Sequence, residues 1–137
     1  MYTTIGYQAF RSCSSLTAIV IPEGSRLASI GGLAFGYCNS LTTIVIPEGV
    51  TSIGSSAFRG CSSLTKIVIP EGVTSIGERA FSGCSRLTIF AGKGSKPDGW
   101  NSSWNYDNRP VYWYSESQKS GNYWRYVDGV PTPWNSY

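Results

Sequence analysis

The chain has 137 residues, of which 41% are hydrophobic and 14% charged, so its length and composition fit one water-exposed globular unit. A net charge of +3 is too small, and too evenly spread along the chain, to predict a nucleic-acid or anionic-membrane surface. Histidine is absent, which removes the commonest acid/base catalyst and metal ligand, and no apolar stretch approaches the roughly 18 residues of a membrane span.

The first 91 residues are built from an internal repeat. The unit I-G-x-x-A-F-x-x-C-x-x-L-T-x-I-V-I-P-E-G begins at Ile5, Ile30, Ile53 and Ile76, with intervals of 25, 23 and 23 residues. Eleven residues, IVIPEGVTSIG, occur identically at positions 44–54 and 67–77. A period in the low twenties with leucine and isoleucine at fixed offsets is typical of a leucine-rich-repeat solenoid. Identical coils can cover one another's apolar faces, so the stack of coils is stable although a single coil is not.

Each coil divides into segments of predictable structure. In KIVI, at Lys66–Ile69, alternate side chains face opposite ways, which predicts a strand with one buried face that Pro70 ends. The stretch GERAFSGC, at 77–84, is predicted to form a short helical turn that buries its alanine, phenylalanine and cysteine. The fold class predicted is therefore a strand-rich α/β repeat solenoid of four right-handed coils, each of 23–25 residues, with a parallel sheet on one face.

After residue 91 the repeat ends and the composition changes. Residues 92–137 contain all five tryptophans and are predicted to form an aromatic C-terminal cap, part of the same compact unit as the solenoid at 1–91. The run VYWY, at Val111–Tyr114, is expected to add a fifth strand beside residues 88–91. It is also expected to form a hairpin with YWRYV, at Tyr123–Val127, through the polar link between them.

The repeat resembles that of the BspA-like leucine-rich-repeat proteins of bacterial surfaces, whose unit runs close to AFxxCxxLxxIxIPxxVxxIG. The resemblance covers residues 5–91. It implies a non-enzymatic protein-interaction or adhesion module of a cell-surface or secreted protein, hence an extracellular location, although the chain shows no signal peptide. The N-terminal coil has no polar segment before it, so end-to-end self-association through that coil is a further expectation.

No residue pattern predicts catalysis, a cofactor or a metal site. The cysteines follow the repeat spacing without C-x-x-C and are interpreted as buried reduced thiols. Glu23, Glu48 and Glu71 form a column that is interpreted as a solvated rim, because no further oxygen ligands accompany it to hold calcium. No serine has a histidine to activate it.

Two surfaces are candidate binding sites. On the outward face of the predicted sheet, Val20, Val45, Val68 and Ala91 are expected to form one column, and Ala18, Thr43, Lys66 and Ile89 the next. The exposed valines favour a protein ligand, whereas cross-strand packing explains them nearly as well. The second candidate surface consists of the tail tryptophans, which would bind a glycan or the cell wall. The alternative is that these side chains cover the apolar end of the last coil. They are Trp100, Trp104, Trp113, Trp124 and Trp134. A purely structural spacer remains a third interpretation.

Overall fold

A computed structural model describes residues 3–22 and 24–134, and it confirms the solenoid. Its described residues form eleven strands and no helix: β1 Thr4–Ile5, β2 Ala18–Ile19, β3 Ser29–Ile30, β4 Thr43–Ile44, β5 Ser52–Ile53, β6 Lys66–Ile69, β7 Ser75–Ile76, β8 Thr88–Ala91, β9 Val111–Tyr114, β10 Tyr123–Val127 and β11 Val130–Pro133. Accordingly, no helix of that part of the chain has the length and hydrophobicity to cross a bilayer.

The strands form two walls around the core. The first wall is the parallel sheet β1-β3-β5-β7, in which Ile5, Ile30, Ile53 and Ile76 are in register. The second wall contains the parallel pair β2-β4, followed by the five-stranded sheet β6-β8-β9-β10-β11. Within the described residues no ladder joins β4 to β6, so the second wall is interrupted between the second and third coils.

Columns of identical side chains join the coils. The rings of Phe10, Phe35, Phe58 and Phe81 stack with centroids 5.4, 5.4 and 5.6 Å apart and nearly parallel planes. Each of the last three cysteines donates its thiol hydrogen to a phenylalanine carbonyl of the preceding coil at 3.1 Å, as Cys61 does to Phe35. The cysteines are free in the structure, and three of the four are buried.

The predicted helical turn is replaced by a run of tight turns, and the reason lies in the backbone hydrogen bonds. In the third coil the amides of Ser56, Phe58 and Gly60 donate to carbonyls of the next coil. The amides between them close local turns, so no consecutive set is left to form a helix. Left-handed residues recur twice in each coil, at positions equivalent to Ser56 (φ 57°) and Gly60 (φ 77°). This stretch therefore continues the ladder between coils.

The predicted fifth strand is confirmed, whereas the predicted hairpin partner is wrong. Strand β9 pairs with β8 in parallel, and Ala91 lies opposite Trp113. However, β10 also pairs with β9 in parallel, because the link at 115–122 returns the chain to the same end of the sheet. The hairpin is formed instead by the antiparallel pair β10-β11. Its turn is Asp128-Gly129, with φ of 51° and 77°, the positive-φ pair that two-residue hairpin turns favour.

Candidate functional site

The outward face of the second wall changes from exposed to buried along the solenoid. Val20 is 87% exposed and Val45 70%, whereas Val68 is half-buried and Phe90, which lies beside Val68 in the ladder, is only 5% exposed. Exposure decreases along this face because an aromatic cluster, formed largely by the C-terminal strands of the same chain, covers its far end. This outer cluster consists of Phe90, Tyr112, Tyr114, Trp124 and Tyr126, whose neighbouring ring centroids lie 4.9–5.6 Å apart.

The hairpin β10-β11 lies beside the exposed part of this face, so that hairpin and wall together border a groove. A cavity of about 340 Å³ lies where β4 and β6 are unpaired. Thr43, Val45, Lys66 and Val68 border it from the wall, and the hairpin residues Tyr126, Gly129 and Pro131 also line it. Two further cavities adjoin it, of about 750 Å³ beside Val20 and Val45 and of about 300 Å³ beside Val68, Tyr114 and Tyr126. Together these three cavities form what is here called the outer groove.

Five of the six residues predicted for the sheet face border the outer groove: Val20, Thr43, Val45, Lys66 and Val68. The expectation that Ile89 lies on this face is wrong. Ile89 pairs with Ile67 and is fully buried, and Ala91 pairs with Ile69 and is equally buried. The fourth coil has one residue fewer between its repeat leucine, Leu87, and its strand, and a shift of one residue turns every side chain to the opposite face.

The tail tryptophans lie mostly in the interior. Trp100 and Trp104 belong to the solenoid core, where Trp104 packs edge-on against Phe81 and the Trp100 indole nitrogen donates to the Val73 carbonyl at 3.1 Å. Trp124 is buried in the outer cluster, and Trp113 is half-buried against the core. Trp134 is half-buried with the Arg125 guanidinium 3.8 Å above its ring. Three of the five proposed glycan-binding rings therefore present no surface on which a sugar could stack.

The sequence pattern did not reveal the hairpin side of the outer groove, in particular Tyr126. This ring is 52% exposed, and burial, followed by the Glu48 carboxylate, raises the pKa of the Tyr126 hydroxyl above its usual value. The Asp128-Gly129 turn signal was present in the sequence and predicts a hairpin at that point. Nothing in the sequence indicates that this hairpin lies over β4 and β6.

The described side chains form no arrangement that is typical of a metal site. No group of three or more potential ligands is close enough to hold an ion in residues 3–22 and 24–134. Glu48 and Glu71 are exposed, as expected for a solvated rim, and Glu23 lies outside the described residues. Burial raises the pKa of the Cys38 thiol to about 11, which disfavours the thiolate that a metal requires.

Comparisons with known proteins agree with this architecture. The family model described as BspA type Leucine rich repeat region matches residues 2–95 in six copies. A leucine-rich repeat protein from T. pallidum superposes with a TM-score of 0.54 and 28% identity over 64% of this chain and 51% of its own. One from Bacteroides ovatus gives a TM-score of 0.48 and 34% identity over 72% of this chain and 30% of its own.

The chain thus spans about half the length of the first of these structures and less than a third of the second. A search of the curated proteins finds no match. The family model covers well over half of the chain, and its repeat accounts for the stacked coils, the phenylalanine column and the buried cysteines. The chain therefore belongs to the BspA-type leucine-rich repeat family.

Proposed function

We propose that the chain is a non-enzymatic protein-binding or adhesion module of a bacterial cell-surface or secreted protein, and that the outer groove contacts the partner. The observation that carries this proposal is the exposure of Val20 and Val45 on a face that aromatic side chains cover farther along. Adjacent exposed apolar residues on a soluble protein commonly mark an interaction surface. The BspA-type family supports both the class of function and the surface or secreted location.

The groove offers a partner both shape and apolar contact. Val20 and Val45, which directly follow β2 and β4, line its floor, and the hairpin contributes Tyr126 and Pro131. A concave apolar surface with polar groups at its border is the usual form of a specific binding site. Thr43 and Lys66 supply such groups, since both are exposed beside the valines.

A separate surface supports end-to-end self-association. The outer side of the first coil exposes 39% of Phe10 and leaves Cys13, Leu16 and Ile19 half-buried, while later coils bury the equivalent side chains. Stacking a second apolar face here would continue the contact that Phe10 makes with Phe35. At the opposite end, we propose that residues 92–137 act as a cap within the same compact unit as residues 1–91, because Trp104 covers Phe81 there.

The carbohydrate-binding alternative is less well supported. Trp100, Trp104 and Trp124 are buried, and Arg125 covers one face of Trp134. Sugar stacking needs an open aromatic face, and burial leaves these three rings without one. A structural spacer would need no exposed apolar groove.

Charge placed in the groove tests the proposal. Val45→Asp puts a carboxylate on the exposed groove floor, and Thr51→Asp puts the same charge at an exposed position beside the first wall. Surface proteins retained by the immobilised chain would be purified, and their affinities for both variants measured by calorimetry. We expect Val45→Asp to weaken binding at least roughly ten-fold, because a buried unpaired carboxylate opposes the contact. Equal affinity of the two variants would contradict the groove as the binding site.

A further inference from the structure

The centre of the outer groove is acidic. Glu48 borders all three of its cavities, and Glu71 and Glu116 also line the cavity beside Tyr114 and Tyr126. Lys66 is the one basic side chain among the lining residues that the structure describes. The groove therefore has an excess of negative charge, whereas the whole chain has a net charge of +3.

The carboxylates of the groove have the capacity to bind a partner's cation. In the structure of residues 3–22 and 24–134, Glu48, Glu71 and Glu116 accept no side-chain hydrogen bond. Instead, aromatic rings stand beside them: Tyr126 is half-exposed near Glu48, and Tyr114 is half-buried in the same cavity. Burial, followed by the Glu48 carboxylate, raises the pKa of the Tyr126 hydroxyl, which shows that the carboxylate acts on this ring.

Carboxylates and tyrosine rings attract the same kind of group. A guanidinium or ammonium ion gains Coulomb attraction from the carboxylates and is drawn to the negative face of an aromatic ring. The valines nearby add an apolar surface, so the groove is complementary to a chain segment that alternates basic and apolar side chains. A neutral sugar carries no positive charge for the carboxylates to attract, and an acidic peptide would be repelled by them.

We propose that the outer groove binds an extended protein segment by seating an arginine or lysine side chain between Glu48 and Tyr126, with an adjacent apolar residue on Val45. This inference rests on the protein-binding function proposed above and adds the chemistry of the partner. Charge complementarity of this kind contributes selectivity and faster association more than total affinity.

The test is a titration of the whole isotope-labelled chain, followed by NMR. The probe is an acetylated and amidated peptide of sequence Val-Arg-Val-Arg-Val, and its matched control replaces each arginine with the neutral isostere citrulline. We expect the arginine peptide to shift the signals of Val45, Glu48 and Tyr126, and to bind roughly three- to ten-fold more tightly than the citrulline peptide. Raising the salt concentration should reduce that difference.

Variants of the chain test whether the Glu48 carboxylate causes the preference for the arginine peptide. Glu48→Gln should reduce the preference for arginine, whereas Glu78→Gln, the same change at an exposed position beside the first wall, should leave it unchanged. Folding of both variants is checked by their amide spectra, since neither glutamate side chain is buried.

Several results would overturn the inference. They are equal binding of the arginine and citrulline peptides, no shift at Glu48 with either peptide, and loss of the arginine preference in both glutamate variants. Equal shifts with tetramethylammonium alone would instead indicate a pocket for small cations. A concentration-dependent dimer that shifts the same signals without peptide would identify a second copy of the chain as the occupant. None of these results would overturn the protein-binding proposal if Val45→Asp still weakened binding of a purified partner as predicted above.

Discussion

The indole nitrogen of Trp124 donates a hydrogen bond to the carbonyl oxygen of Ala91 at 2.8 Å, across the intervening strand β9. This bond ties the C-terminal hairpin to the last complete coil. It also places the Trp124 ring against Phe90, at a centroid distance of 5.5 Å. The covered part of the outward face, and hence the start of the exposed groove, depends on this contact.

Trp124→Phe is expected to destabilise the chain by about 1–3 kcal/mol, because it leaves the buried Ala91 carbonyl without its donor. Trp134→Phe is the control. It also removes one indole hydrogen bond, to the Ser115 carbonyl, but from a half-exposed position. Chemical denaturation followed by circular dichroism measures both. A larger loss for Trp134→Phe would contradict the assignment of Trp124 as the anchor.

The close approach of the coils predicts the effect of adding one methyl group. A Cβ at Gly54 would lie 2.5 Å from the Gly32 amide nitrogen, and the neighbouring contacts are also backbone atoms that cannot rotate away. We expect Gly54→Ala to cost about 3 kcal/mol or more, at the upper end of overpacking effects. Gly6 holds the same position in the first coil, and no atom of residues 3–22 or 24–134 lies within 4 Å of a Cβ added there.

Gly6→Ala should therefore change the free energy of unfolding by less than about 0.5 kcal/mol. Thermal unfolding of the two variants provides the comparison. Equal melting temperatures would refute the claim that coil spacing, and not a local backbone requirement, selects glycine at this position.

The phenylalanine column makes a similar comparison possible within one residue type. Phe58 is fully buried between Phe35 and Phe81, so Phe58→Ala should leave a cavity and cost about 3–5 kcal/mol. Phe10 stacks on Phe35 and is 39% exposed, so Phe10→Ala should cost about half as much or less. Urea denaturation of both variants tests this order, and the reverse order would argue against the stacked arrangement.

The buried thiols predict a loss of stability at alkaline pH. Burial raises the pKa of Cys38 to about 11, and the neighbouring Cys84 thiol together with burial also raises the pKa of Cys61. Above pH 9 the unfolded chain releases thiol protons that the folded chain retains, so the free energy of unfolding falls as the pH rises through 11. The stability from these thiols is fully present below about pH 8.5.

Urea denaturation between pH 7 and 11, under reducing conditions, measures this slope. Cys38→Ala should make it shallower, because it removes a thiol whose pKa is raised in the folded chain. An identical slope for Cys38→Ala and the unsubstituted chain would show that other groups cause the alkaline loss.

The repeat spacing alone predicted which side chains form the core columns. A constant 23-residue interval places Phe35, Phe58 and Phe81, or Cys38, Cys61 and Cys84, at equivalent positions, and stacking is the arrangement that buries them all. The pairing of β9 with β8 was also predictable, because Val111–Tyr114 is a β-branched and aromatic run that follows the last coil. The wrong placement of Ile89 could have been avoided, because the sequence shows that the fourth coil has one residue fewer before its strand than the third coil has.

Sequence by itself therefore determined the solenoid, its family and the buried phenylalanine and cysteine columns, because each depends on contacts between copies of one repeated pattern. Tertiary structure alone decided where the tail lies: the parallel return of β10, the burial of Trp124, and the position of Tyr126 opposite Glu48. These are single contacts between segments without a repeat. Many pairings would satisfy the same aromatic composition, and only packing against the finished coils selects one.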